Sequence, residues 1–197
     1  MYIFKVAKTT VEINECQKLL YKVFVEEEGF ELTIPDKFES RSVYYYAEYE
    51  NGVVACLRFV SATQSEIGLP LHDPAPYVSF DNRFTHAEVS RWVVAKDHRG
   101  KMLSTSAYKQ CWETAEELGY EFVVSEARYA ARVLHKRIGF KEYSEAFHDP
   151  DMTVAGDVEN QPNAIIMRAK VSDLVAKNSI NNSAKAAVVV EQYVNIR

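Results

Sequence analysis

The chain has 197 residues, 47% of them hydrophobic, enough to bury the core of one domain. A formal net charge of -5 argues against a general nucleic-acid binder, because no basic excess is present to meet phosphates. No secretory leader and no apolar run near ~20 residues is expected, and the three separated cysteines, Cys16, Cys56 and Cys111, read as buried reduced thiols of a cytoplasmic protein. Tyr2 to Val6 reads as a short strand. Thr10 or Asn14 is a candidate cap for a helix with Cys16, Leu19, Leu20, Val23 and Phe24 on its inner face, stopped at Gly29. Residues 30–41 contain Pro35 and no sustained period, so they form an irregular loop of the kind that closes over substrates. Asn51-Gly52, between runs at 43–50 and 53–61, is the strongest hairpin signal, both turn positions tolerating positive φ. The stretch 64–83 carries three prolines and reads as loop, with a short strand at Tyr77 to Phe80.

Phe84 to Leu118 organises the rest: an apolar strand, a basic turn, then an amphipathic helix. Leu103, Ala107, Cys111, Ala115 and Leu118 recur at helical spacing and mark one buried face. The turn Asp97-His98-Arg99-Gly100-Lys101 leaves helix-start N–H groups unpaired beside basic side chains, a natural seat for a phosphate. Just upstream stand Glu88 and Arg91, three apart and therefore on opposite faces of a regular strand. A buried strand at Glu121 to Ser125 and a short helix at Arg128 to Arg137 follow. Then Gly139-Phe140 turns into a strand reaching about Phe147, and a loop over 149–162 leads to a last strand at Asn163 to Val171. The domain is taken as residues 1–171, and 172–197 as a tail, helical near Ala184 to Tyr193. This order gives an α/β (α+β) sandwich, a mixed sheet with helices on both faces and a crevice at the carboxyl end of the central strand. His86-x-Glu88 lacks the paired cysteines of a zinc deaminase, and there is no Walker loop or Gly-x-Ser-x-Gly elbow, so no metal is expected.

The succession of strand, glycine-bearing basic turn, long helix, strand, short helix and Ile138-Gly139-Phe140 resembles the GNAT acyltransferase superfamily over roughly residues 1–170. The resemblance implies a mostly antiparallel central sheet and a turn, Arg/Gln-x-x-Gly-x-Gly/Ala, that cradles the pyrophosphate of coenzyme A. Here the turn reads Arg99-Gly100-Lys101-Met102-Leu103-Ser104, with Met102 in place of the middle glycine. Val23-Phe24, Gly29-Phe30, Asp36-x-x-Glu39, Arg58, Phe84 and Glu88-x-Ser90-Arg91 stand in the order seen in acyl-homoserine-lactone synthases and the related long-chain N-acyl amino acid synthases. Leu20 stands where the lactone synthases carry an arginine, Phe30 replaces their loop tryptophan, and Glu39 an aspartate; the N-acyl amino acid synthases fit these departures better.

That resemblance implies transfer of a medium or long acyl chain from acyl carrier protein to the α-amine of an amino acid. No cofactor is held permanently; acyl-phosphopantetheine or acyl-coenzyme A is the co-substrate. Val93, Val94 and Arg99 to Ser104 would bind the donor, and Phe24, Phe30, Asp36, Glu39, Arg58, Phe84, Ser90 and Arg91 the acceptor side. Glu88 would orient or deprotonate the amine, or else simply pair with Arg91. Arg58 and Arg91 would anchor Asp36 and Glu39, or clasp a substrate carboxylate. His135, at the place of the tyrosine that protonates the leaving thiolate in many of these enzymes, and Tyr129 are candidate acids; on a helix beside Lys136 and Arg137, a solvated His135 is the plainer expectation. Lys96, His98, Arg99, Lys101, Arg128, Arg132, Lys136 and Arg137 would form a basic patch for the acidic carrier protein. Leu57, Phe59, Val89, Trp92, Phe122 and Val124 would line an acyl tunnel or fill the core. The other readings are a lactone synthase, a coenzyme A-dependent N-acetyltransferase, and a binding module without turnover.

Overall fold

A computed structural model describes residues 1–62, 69–72, 86–101, 103–154, 157–158 and 161–182. The strand expected at 77–80, Phe84, Met102 and the helix expected near 184–193 lie outside the described residues.

The first helix, α1 (Thr10–Leu20), follows β1 (Ile3–Val6). Its cap is Thr9 rather than Thr10 or Asn14, because a capping box forms there. Thr9 Oγ1 accepts from the Glu12 N–H at 3.2 Å, and the Glu12 carboxylate accepts from the Thr9 N–H at 2.9 Å. The helix continues in π-helical turns over Tyr21–Glu27 and stops at Gly29, whose φ of 79° suits glycine. A hairpin, β2 (Ser42–Tyr49) and β3 (Gly52–Val60), comes next. Its turn sits one residue earlier than the Asn51-Gly52 signal suggests. Glu50 and Asn51 take positive φ, and Gly52 pairs with Tyr49 instead of turning. Then come β4 (His86–Val94), α2 (Leu103–Glu117), β5 (Phe122–Arg128) and α3 (Arg132–Ile138). The last described elements are β6 (Lys141–Glu142), β7 (Ala164–Lys170) and α4 (Val171–Asn182).

Among the described residues the strands form a seven-stranded sheet in the order β1-β2-β3-β4-β5-β7-β6. Only β4 and β5 run parallel, which makes the sheet mixed and mostly antiparallel. Strand alternation sorts the side chains. Tyr45, Leu57, Phe59, Val89, Val123 and Met167 pack with Cys111 and Trp112 of α2 on one face. Tyr44, Tyr46 and Cys56 meet α1 on the other, and Val60, Val124 and Ile166 meet Phe38, Leu69 and Leu71 there. Tyr44, Tyr45 and Tyr46 are all buried although consecutive, since both faces of β2 are covered. Their hydroxyls donate to Glu39, Thr114 and Glu12.

Three expectations need correction. Leu118 is 43% exposed, because α2 ends at Glu117 and Gly119 (φ 75°) turns the chain away. The strand after Phe140 is short: Ser144 Oγ takes the Ile166 N–H at 3.0 Å where a ladder carbonyl would stand, and an isolated bridge from Phe147 to Ala164 resumes the pairing. Val171, expected to end the last strand, begins α4, which takes in residues 172–182 of the segment read as a partly helical tail, and Val171 and Leu174 join the core cluster of α2. Cys16, Cys56 and Cys111 are buried free thiols, as expected.

Candidate active site

Two irregularities of β4 build the site. Pairing with β5 covers only His86↔Phe122, Ala87↔Val123 and Glu88↔Val124, yet β4 continues to Val94 and β5 to Arg128. Beyond Glu88 the two strands therefore part and leave an open wedge. On the other side, Ser90 pairs with Arg58 but Val93 pairs with Cys56, so Arg91 and Trp92 together face Leu57. This is a β-bulge, and Arg91 takes the strained φ of 54° within it. The bulge corrects the alternation argument. Arg91 does not turn away from Arg58 but joins it at Asp36.

Asp36 is the hub. Its Oδ2 accepts from Arg58 Nη1 at 2.7 Å and from Arg91 Nη2 at 2.8 Å, while Oδ1 accepts from the Phe38 N–H at 2.9 Å. Burial acts to raise the Asp36 pKa, but the two guanidiniums outweigh it and hold the carboxyl below its usual range. Arg58 is 2% exposed, and its Nε donates to Ser90 Oγ at 3.2 Å. Arg91 Nη2 also donates to the Thr33 carbonyl at 3.2 Å, whereas Nη1 is buried without a partner among the described residues. Glu39, expected to be anchored by these arginines, lies near enough for its charge to act on Arg91, but its hydrogen bonds come from Gln17 Nε2 at 2.7 Å and the Tyr44 hydroxyl at 2.9 Å. Gln17 gave no signal in sequence, since its role depends on α1 facing β2. The rings of Phe24 and Phe30 meet edge to face at 5.6 Å, and the Arg128 guanidinium lies 5.6 Å from the Phe30 ring centre.

Glu88 is 1% exposed, on the face of β4 that carries Ser90. Its Oε2 accepts from the Leu71 N–H at 2.9 Å, a partner that no spacing rule could have supplied. Burial pushes its pKa up to about 7; the Leu71 N–H, Arg58 and Arg91 oppose that rise, and Asp36 adds to it. Such a carboxyl is poised between its two forms near neutral pH.

The donor turn looks different. Lys96–His98 make a single tight turn, and Gly100 takes φ 78° ahead of α2. Arg99 bends back on the protein: Nη2 meets Glu27 at 2.6 Å and Nε donates to the Val94 carbonyl at 3.1 Å. His98 Nδ1 lies 3.0 Å from the Tyr2 hydroxyl, and Lys101 is 5.9 Å from the Tyr2 ring centre. Val93 and Leu103 are buried. The side chain of Ser104 is not among those described. The expected basic patch is interleaved with acid. Arg128 meets Asp157 at 3.4 Å, and Lys136 and Arg132 meet Glu142 at 2.6 and 3.9 Å.

His135 is buried, not solvated. Its Nδ1–H donates to the Ala131 carbonyl at 3.1 Å, which leaves Nε2 to accept from Ser125 Oγ at 3.2 Å. Burial lowers its pKa, and the ring is neutral. Tyr129 is exposed, with the Arg132 guanidinium 3.8 Å from its ring centre. Leu57, Phe59 and Val89 are fully packed in the core.

A sheet that splits between a central parallel pair, with a bulged strand and a buried carboxyl at the fork, defines an acyltransferase scaffold. Residues 10–140 match the acetyltransferase (GNAT) family, and the chain belongs to that family. It is an N-acyltransferase. The fold is similar to that of the acyl-homoserine-lactone synthase LasI, with TM-score 0.69, 13% identity, and 98% of this chain and 99% of that one covered. It is also similar to FeeM, an N-acyl amino acid synthase from uncultured soil microbes, with TM-score 0.66, 11% identity, and 88% and 94% covered. An acyl-CoA N-acyltransferase from Pseudomonas aeruginosa gives TM-score 0.64 and 18% identity over 86% and 99% of the two chains. No curated protein matches the sequence. Among the described residues no helix is long and apolar enough to cross a membrane.

Proposed function

We propose that the protein moves a medium- or long-chain fatty acyl group from acyl carrier protein to the α-amine of an amino acid. The observation that carries this reading is Nη1 of Arg91, a buried cationic donor without a partner among the described residues, beside a carboxyl poised near neutral pH. An α-amino acid supplies a carboxylate for the first and an amine for the second. Asp36 fixes the guanidinium in place, so recognition costs little further ordering.

With the thioester in the wedge between β4 and β5, the nitrogen lone pair attacks the carbonyl carbon. Glu88 takes the proton the nitrogen sheds, directly or through water. The C–S bond then breaks and the thiolate leaves with its carrier. Arg99 is engaged with Glu27, and a donor with a single phosphate asks less of the turn than a pyrophosphate would. The likeness to FeeM, an N-acyl amino acid synthase, supports the acceptor class. Leu20, buried against Tyr44 and Tyr46, leaves no cation at the position where the lactone synthases it resembles carry arginine. Two structural neighbours, the coenzyme A-dependent lactone synthases BjaI and MesI, support acyl-coenzyme A as the second donor to try.

The test is product analysis. Purified protein given dodecanoyl-acyl carrier protein and mixed L-amino acids should yield an N-dodecanoyl amino acid by mass spectrometry. A lactone, or acetylation from acetyl-coenzyme A alone, would overturn the reading.

A further inference from the structure

Near Glu88 stands a second carboxyl that the scheme above leaves unused. Glu126 lies on β5 two positions beyond Val124, so alternation sets it on the face that carries Glu88. Val124 is the partner of Glu88 in the last parallel pair, which places Glu126 where the strands have begun to part. Across β5 it is opposite Ile166 of β7, a member of the apolar cluster with Val60, Leu71 and Val124. Glu126 is hydrogen-bonded to Asp149, and its Oε1 is buried without a partner among the described residues. Asp149 is itself buried and fixed: its N–H donates to Asn163 Oδ1 at 2.8 Å, and its Oδ1 accepts from the Asp151 N–H at 2.9 Å.

Two touching carboxyls shielded from water share one proton rather than both ionise. Burial, then the Asp149 charge and hydrogen bond, push Glu126 up to about 10, with Glu88 and Asp151 adding to the effect. The proton therefore resides on Glu126 and is donated to Asp149. What remains is a carbonyl-type oxygen, able to accept but neutral.

Resting on the acceptor reading above, we propose that Glu126 is a substrate-binding residue whose Oε1 accepts one N–H of the incoming amine while Glu88 accepts the other. Neutrality is what the reaction asks for. An ionised carboxylate would hold the acceptor as an ammonium ion, whose nitrogen has no lone pair to give. Glu126 keeps its proton throughout; the new C–N bond forms, the nitrogen's proton passes to Glu88, the C–S bond breaks, and Glu88 then releases that proton, which ends on the departing thiolate. The other charged groups near Glu126 are Asp149 and Asp151 from the β6–β7 connection, Glu88 on β4, Arg128 on its own strand and Arg168 on β7 opposite Val124.

The experiment compares E126Q, E126L and D149N with the parent protein, using dodecanoyl-acyl carrier protein and the amino acid the parent acylates. The side-chain amide introduced by E126Q can still donate to Asp149 and accept from the amine, so this variant should lose about threefold in kcat/KM. E126L should raise the amine KM at least tenfold and leave the donor KM near that of the parent. D149N removes the charge that keeps Glu126 neutral, so the alkaline fall of its rate profile should begin at lower pH than in the parent, and E126Q should lack that shift when combined with it. An unchanged amine KM in E126L, or E126Q falling as far as E126L, would overturn the inference while the parent still makes product. A parent that acylates no amino acid would overturn the reading beneath it instead.

Discussion

Two clusters of paired charge, one at Asp36 and one at Arg99, are built from the same kinds of residue and behave oppositely. At Asp36, on the proposed acceptor side, Arg58, Arg91 and Asp36 are withdrawn from water and locked to one another. At the proposed donor turn, Arg99 and Glu27 make an ion pair with 45% and 24% of their side chains exposed. Buried charges fix geometry because leaving either one unpaired is costly, whereas an exposed pair contributes little and can exchange partners with a passing phosphate. The contrast suits a transferase that must hold a small amine in one pose and let a large carrier come and go.

Breaking the buried side should have the largest effect. Arg58→Met takes one of its two guanidiniums from Asp36 and the Nε donor from Ser90, leaving Arg91 to hold the carboxylate alone, and the protein should lose about 2–3 kcal/mol of unfolding free energy, read by urea denaturation. A loss under about 1 kcal/mol would mean that Asp36 escapes to water. Glu88→Gln comes next, with kcat down about a hundredfold or more and the acidic limb of the rate profile near pH 7 gone.

The same substitution sharpens the comparison through stability. Glu88 rises from 4.5 to about 7 on folding, so the native state holds the extra proton, and its share of stability is complete below pH 4.5 and lost as pH rises through about 7. Asp36 works the other way: its folded pKa is depressed below 3.8, so its share is present above that value and fades as the solution is acidified further. Glu88→Gln should therefore flatten the stability curve between pH 4.5 and 7 and leave its acid end alone. A curve parallel to that of the parent would contradict the burial of Glu88.

The smallest effect belongs to the donor turn. Glu27→Gln should cost less than about 1 kcal/mol, and by freeing Arg99 it should lower the KM for acyl-coenzyme A severalfold without touching the amine KM. No change in either donor constant would remove Arg99 from the donor site.

Much of the fold was legible because it rests on local periodicity. The face of α2 through Leu103, Ala107, Cys111 and Ala115 is buried as its spacing requires, and β1, the strands of the β2–β3 hairpin and β7 fall within a residue or so of where they were expected. The site was legible only as a set of residues. That Arg58 and Arg91 converge on Asp36 could be anticipated, but the reason could not: one extra residue in β4 turns Arg91 to the other face, and a bulge leaves no pattern in a sequence such as Glu88-Val89-Ser90-Arg91. The contacts of Glu39, Arg99 and His135 were hidden for a related cause. Their partners, Gln17, Glu27 and Ser125, come from distant segments, and pairing across a fold is invisible to spacing. Glu126 carries a faint signal, an acid directly after the strand expected at Glu121 to Ser125; that strand runs on to Arg128 and takes Glu126 into the sheet.

The central claim is that a thioester and an amine meet beside Glu88, in the fork of the sheet. The most direct measurement is a single-turnover assay with radiolabelled dodecanoyl-acyl carrier protein and amino acids, run on the parent and on Glu88→Gln. The account predicts label moving to an N-acyl amino acid in the parent and remaining as intact thioester in the variant, with the carrier still bound by both. Equal transfer by the two proteins would contradict it.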